Sequence, residues 1–192
     1  MGLVSDKLIA AVFFLPKNQP QNQPIEVLLE KAGASDIKYD EGWLWDCQWA
    51  GMTCDAYAYN ELASYQLLVI RFMFGIFAEK GKYSHQENNL PLEKDGNLQL
   101  ALAFRDACET LKPEVAYITT RLPYGEFEKI VENVESIETY DPDSILDNAG
   151  LIYVKGIIAD WLTYPQPLEP QDTLPVKEGL LVFSGTGRER WW

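Results

Sequence analysis

The sequence predicts an α+β fold, a mixed β-sheet flanked by helices, and three observations point to it. Apolar or alternating runs of strand length recur at 8–15, 43–49, 65–74, 115–119, 151–154 and 179–184. Between them lie segments near 25–33, 98–111 and 123–137 whose apolar residues repeat with the helical period. Pro and Gly sit at the ends of these runs, where chain reversals belong. The order of elements is compatible with a ferredoxin-like split βαβ core that carries a carboxyl-terminal extension. No repeat, low-complexity tract or boundary divides the chain, so one globular domain over 1–192 is expected.

The first run, 8–15, is continuously apolar and stops at Pro16, as a buried strand does. A polar connector follows. Pro24 then suits a helix start and Gly33 a helix stop, with Ile25, Leu28, Leu29 and Ala32 on one face. Trp43, Trp45, Cys47 and Trp49 alternate with the period of a strand. Gly51-Met52 is placed at a tight hairpin turn with Gly in the first central position, and Asp46 and Asp55, which flank the proposed hairpin, are candidates to face each other. The run 65–74 is rich in β-branched and aromatic residues and reads as a central strand, with a helix as its competitor. A polar loop over 79–96 precedes a helix capped by Asn97 and ended by Pro113. A second long helix, 123–137, turns Phe127, Ile130, Val131, Val134 and Ile137 inward. The stretch 164–175 is a proline-rich connector before the last strand.

Charge narrows the classes of function. The chain has 192 residues, 47% of them hydrophobic, with 16 Lys+Arg against 29 Asp+Glu and a net charge of −13. That sign opposes binding to nucleic acid or to an anionic membrane surface, since both require phosphate neutralisation. The excess is uneven: residues 123–178 hold twelve acidic and three basic residues. Glu128, Glu132 and Glu135 recur along the outer face of the predicted 123–137 helix and are the candidate residues for a basic protein partner. A solvated face is the simpler account of such a stripe.

Chemistry-bearing motifs are sparse. Cys47, Cys54 and Cys108 cannot all pair, none lies in a Cys-x-x-Cys motif, and His85 is the only histidine. No metal or other cofactor is expected from that set. Free thiols suit a reducing, cytoplasmic setting, and no apolar run is long enough to span a bilayer. Asp141-Pro142-Asp143 reads as a helix start rather than a cation site, and Gly185-Thr186-Gly187 as a terminal turn. Trp43, Trp45 and Trp49 share one strand face, which suits core packing or a stacking platform for a flat ligand. The size, the acidity and the sparse catalytic motifs are similar to those of bacterial immunity proteins that neutralise toxins, a likeness of composition rather than of motif. Two functions stand at this point. The first is a non-enzymatic acidic protein that binds a basic partner, of which an immunity-type inhibitor is one form. The alternative is a small-ligand binder or hydrolase with an aromatic cleft around the tryptophan strand.

Overall fold

The computed structural model describes residues 9–17, 22–40, 44–60, 65–72, 94–119, 149–155 and 173–183. Nine strands form one sheet: β1 (Ile9–Pro16), β2 (Ser35–Tyr39), β3 (Trp45–Trp49), β4 (Met52–Tyr59), β5 (Tyr65–Phe72), β6 (Val115–Thr119), β7 (Ala149–Val154), β8 (Thr173–Leu174) and β9 (Leu180–Phe183). Their spatial order is β2-β3-β4-β5-β1-β6-β7-β9-β8. The described helices are α1 (Ile25–Lys31) and α2 (Lys94–Leu111). The predicted helix at 123–137 lies outside the described residues.

The expected mixed sheet with a ferredoxin-like core is corrected. Every pairing is antiparallel, and the fold is mostly β. The physical reason lies in where the chain goes after α1. It enters a meander, β2 to β5, that starts at the sheet edge and walks back until β5 pairs with β1. Consecutive hairpin strands must alternate in direction. β5 and β6 both flank β1 and so run parallel to each other, but β1 lies between them and no parallel pair forms.

Both faces of the sheet centre are buried, which explains why β1 and β5 read as unbroken apolar runs. On one face, Phe13, Leu68, Ile70, Phe72, Ile118 and Tyr153 pack with Leu28 and Leu29 of α1 and with Leu100, Phe104 and Cys108 of α2. On the other, Ala10, Val12, Phe14, Leu67, Val69, Val115, Tyr117 and Ile152 form a second cluster, to which neither described helix contributes.

The helix ends follow local chemistry. Past α1, Gly33 takes φ 83°. Its N–H bonds the Glu30 carbonyl at 3.0 Å, and the Ala34 N–H bonds that of Leu29 at 2.9 Å. This is a Schellman stop, which glycine adopts without a Cβ penalty. The segment before α1 is held by Gln66, a buried side chain on β5. Its Oε1 accepts from the Gln23 N–H at 3.0 Å and its Nε2 donates to the Gln23 carbonyl at 2.8 Å. α2 begins at Lys94, so Asn97 falls inside the helix rather than at its cap. Sequence reading also missed two edge elements. β2 is mostly exposed and polar, and β8 is two residues inside the proline-rich connector.

The β3–β4 turn sits one residue earlier than expected. Trp49 pairs with Met52, so the central residues are Ala50 at φ 52° and Gly51 at φ 76°. Two positive φ values define a type I′ turn, for which Asn-Gly is the favoured pair. A Cβ on Gly51 would also lie 2.6 Å from Nε2 of Gln99 on α2. Ala50→Asn offsets the strain of a left-handed non-glycine residue through local hydrogen bonding of its side chain and is expected to stabilise the protein by about 0.5–1 kcal/mol. A raised urea midpoint checks this, and a lowered one rejects the turn assignment.

Candidate functional site

The β3–β4 hairpin brings two tryptophans, two cysteines and two aspartates together, and it shows a different character on each face. Toward the helices point Trp45, Cys47 and Trp49 of β3 with Cys54 and Ala56 of β4. Trp49 is 1% exposed. Its ring stacks on Phe72 at 5.7 Å between centroids and meets Phe13 edge-on at 6.2 Å. Its indole N–H donates to the Ala32 carbonyl at 2.8 Å, just beyond α1. One side chain therefore joins the hairpin to β1, β5 and the end of α1. Trp45 is half-buried at the cluster's rim and packs edge-on against Tyr39 of β2, at 5.1 Å. Trp43 lies outside the described residues.

Cys47 and Cys54 are directly opposed across the hairpin, and each is 2% exposed. Burial, followed by the nearby Asp55 and Asp46 carboxylates, pushes the Cys47 thiol up to about 11. Burial raises Cys54 further, with Cys47 adding to the effect, and its S–H points to the Met52 carbonyl at 3.5 Å. Cys108 on α2 is likewise raised by burial. All three are protonated at neutral pH, the form that is a poor nucleophile and a poor metal ligand.

The opposite face of the same strands carries a transverse row of charge. Lys38 pairs in register with Asp46, Asp46 with Asp55, and Asp55 with Arg71. The row crosses β2, β3, β4 and β5. Arg71 is 8% exposed and binds Asp55 with both arms of the guanidinium, Nε to Oδ1 at 2.5 Å and Nη2 to Oδ2 at 2.8 Å. Its guanidinium carbon lies 5.3 Å from the centre of the Tyr57 ring, a cation–π distance. Like charges directly opposite in a sheet repel, so Arg71 also offsets the Asp46–Asp55 juxtaposition. Asp46 is exposed, and one turn-ward step from it Gln48 donates to Thr53 at 2.7 Å.

A third polar group lies at the far end of the sheet. Glu109 on α2 accepts from the Lys177 backbone N–H at 3.2 Å and from its Nζ at 2.8 Å, which lowers the Glu109 carboxyl and raises Lys177. Glu178 takes Lys155 at 3.3 Å and Lys112 at 3.8 Å, and its backbone carbonyl accepts the Tyr153 hydroxyl at 3.0 Å. A Cβ on Gly179 would fall 2.4 Å from the Val154 carbonyl. These contacts moor the β8–β9 segment against α2 and β7. Exposed pairs of this kind contribute little individually.

Among the described residues, no three His, Cys, Asp or Glu side chains come together as a cation site. The candidate residues Glu128, Glu132 and Glu135 lie outside the described residues, as do His85, Asp141, Asp143 and the Gly185–Gly187 turn. Sequence reading singled out Asp46 and Asp55 as acids flanking the hairpin but missed Arg71 as their partner. The available signal was a lone cation inside an apolar strand run, since buried charges are paired.

No family model matches the chain, and no curated protein matches it. Among solved structures, the chain is similar to the Pseudomonas aeruginosa T6SS protein PA0821, at 10% sequence identity and a TM-score of 0.43. The match covers 93% of this chain and 65% of that one, so this chain spans less than two thirds of that structure's length.

Proposed function

We propose that this chain is a non-enzymatic binding protein whose acidic surface engages a basic protein partner, with an immunity-type inhibitor as one form. The observation that carries the reading is the concentration of charge, twelve acidic against three basic residues over 123–178 in a chain of net charge −13. A field of one sign speeds encounter with an opposite surface and is weakened by salt. Exposed carboxylates at Glu30, Asp36, Asp40, Asp46 and Asp106 extend the same sign over the described surface. The aromatic-cleft alternative draws less support, because the Trp49 ring is already enclosed by Phe13, Phe72 and the α1 terminus.

The test begins with capture of partners from native lysate under low-salt and high-salt washes. Association of a captured basic protein is then timed against the wild type and against a triple Glu→Gln variant at Glu128, Glu132 and Glu135. The variant is expected to associate about tenfold more slowly at low salt, with a flatter salt dependence. An unchanged association rate removes that glutamate stripe from the interface. Salt-insensitive capture of only neutral or acidic proteins overturns the reading.

A further inference from the structure

We propose that Cys47 and Cys54 form a reversible cross-strand disulfide, a redox latch on the β3–β4 hairpin. The two residues are register partners on the same face of adjacent strands. The two-residue loop Ala50-Gly51 makes Trp49–Met52 a hydrogen-bonded pair, and alternation along the ladder makes Cys47–Cys54 another. Such pairs hold their Cα atoms about 5.5 Å apart, within the roughly 4.4–6.8 Å that a disulfide spans. Their Cβ atoms stand near the wide end of the cross-strand range, about 5.5 Å, whereas a disulfide draws them to about 3.8 Å. Closing the bond therefore draws the two strands locally closer than the ladder spacing. A strained disulfide is easily reduced, and that reversibility separates a switch from a structural staple.

Both thiols are buried and protonated, so exchange starts from a transient opening of the hairpin. The route is short: only β3 and the edge strand β2, which carries a register shift, lie between Cys54 and the sheet edge. The oxidant is a small disulfide such as oxidised glutathione. One protein thiol loses its proton and attacks a glutathione sulfur, forming a mixed disulfide and expelling one glutathione thiolate. The second protein thiolate then attacks the protein-bound sulfur and expels the other. Two protein thiols are oxidised, and one glutathione disulfide is reduced to two thiols.

The full-length protein is equilibrated in graded ratios of reduced to oxidised glutathione. It is then quenched with acid, alkylated under denaturing conditions and mapped by peptide mass. The expected result is a species lacking two hydrogens, with the 47 and 54 peptides cross-linked, Cys108 alkylated, and full return to three alkylated thiols under excess reduced glutathione. Cys108→Ser is expected to retain the reaction and Cys54→Ser to abolish it. Since mapping of the wild type stands alone, misfolding of a variant leaves the test intact. Three alkylated thiols at every ratio, mixed glutathione adducts without the cross-link, or a bridge involving Cys108 would each overturn the proposal.

Discussion

Trp49→Ala is expected to destabilise the fold by about 3–5 kcal/mol, the range for removing a large buried aromatic. Two losses add at this position. The first is the packed volume between Phe13 and Phe72, which lie on two strands of the sheet centre and cannot both collapse into the gap. The second is the indole donor to the Ala32 carbonyl. Trp49→Phe separates the two, because it keeps much of the ring contact and strands only the carbonyl, at about 1–3 kcal/mol. Trp45→Ala is expected to cost less than either core truncation, since Trp45 sits half-exposed at the rim. Urea titration of the three variants measures the effects as shifts in midpoint at constant slope. A Trp49→Ala loss below about 1 kcal/mol would contradict an enclosed ring and restore the ligand-platform reading of this strand.

The same tryptophan shows how far the sequence could be read. Alternation of Trp45, Cys47 and Trp49 fixed the strand and its face, because period two leaves a single alignment of large side chains. Helical periodicity located α1 and α2, and short apolar runs located β1, β5 and β6, to within a few residues, except at the start of α2. Sheet order was not legible. It depends on which strand pairs with β1, and that contest between β5, β6 and β2 is settled by non-local packing on two faces. β2 was invisible because an edge strand exposed along most of its length has no apolar period to display. β8 was invisible because two residues cannot show a period at all. For the hairpin, the glycine fixed the position of the turn to within one residue. Its type required the positive φ of Ala50, which alanine does not advertise. Of the candidate site, Asp46 and Asp55 were legible only as two acids flanking the hairpin, since a turn at Gly51-Met52 sets Asp46 against Tyr57, and both their opposition and Arg71 entered through the strand registers.

Arg71→Ala is expected to destabilise the protein by about 3–5 kcal/mol, comparable to the loss of Trp49 although no large cavity forms. The reason is what remains behind. Asp55 has a side chain only 15% exposed, and both of its oxygens are taken by the guanidinium. Removing the cation leaves a carboxylate with little water and no ion-pair partner among the described residues, directly across from Asp46. Asp46→Asn in the Arg71→Ala background should therefore recover about 0.2–1 kcal/mol, while the same change in the wild type recovers less. The decisive variant replaces the pair together, Arg71→Met with Asp55→Leu. A buried ion pair exchanged for apolar groups of similar volume is often neutral or stabilising, so this double variant should be far more stable than either single one. The contact of Arg71 with Tyr57 tempers the gain, because methionine gives up the cation–π attraction, about 0.5–2 kcal/mol. Chemical denaturation of the two singles and the double closes the cycle and yields the coupling energy. If Arg71→Ala falls within 1 kcal/mol of the parent, the pair is hydrated in solution and the row from Lys38 to Arg71 is a surface feature. If the singles are costly and the double is not, the pair sets the register of β4 on β5 rather than the stability of the sheet. A slip of one residue would then turn Arg71 into the Phe72 and Trp49 side of the core.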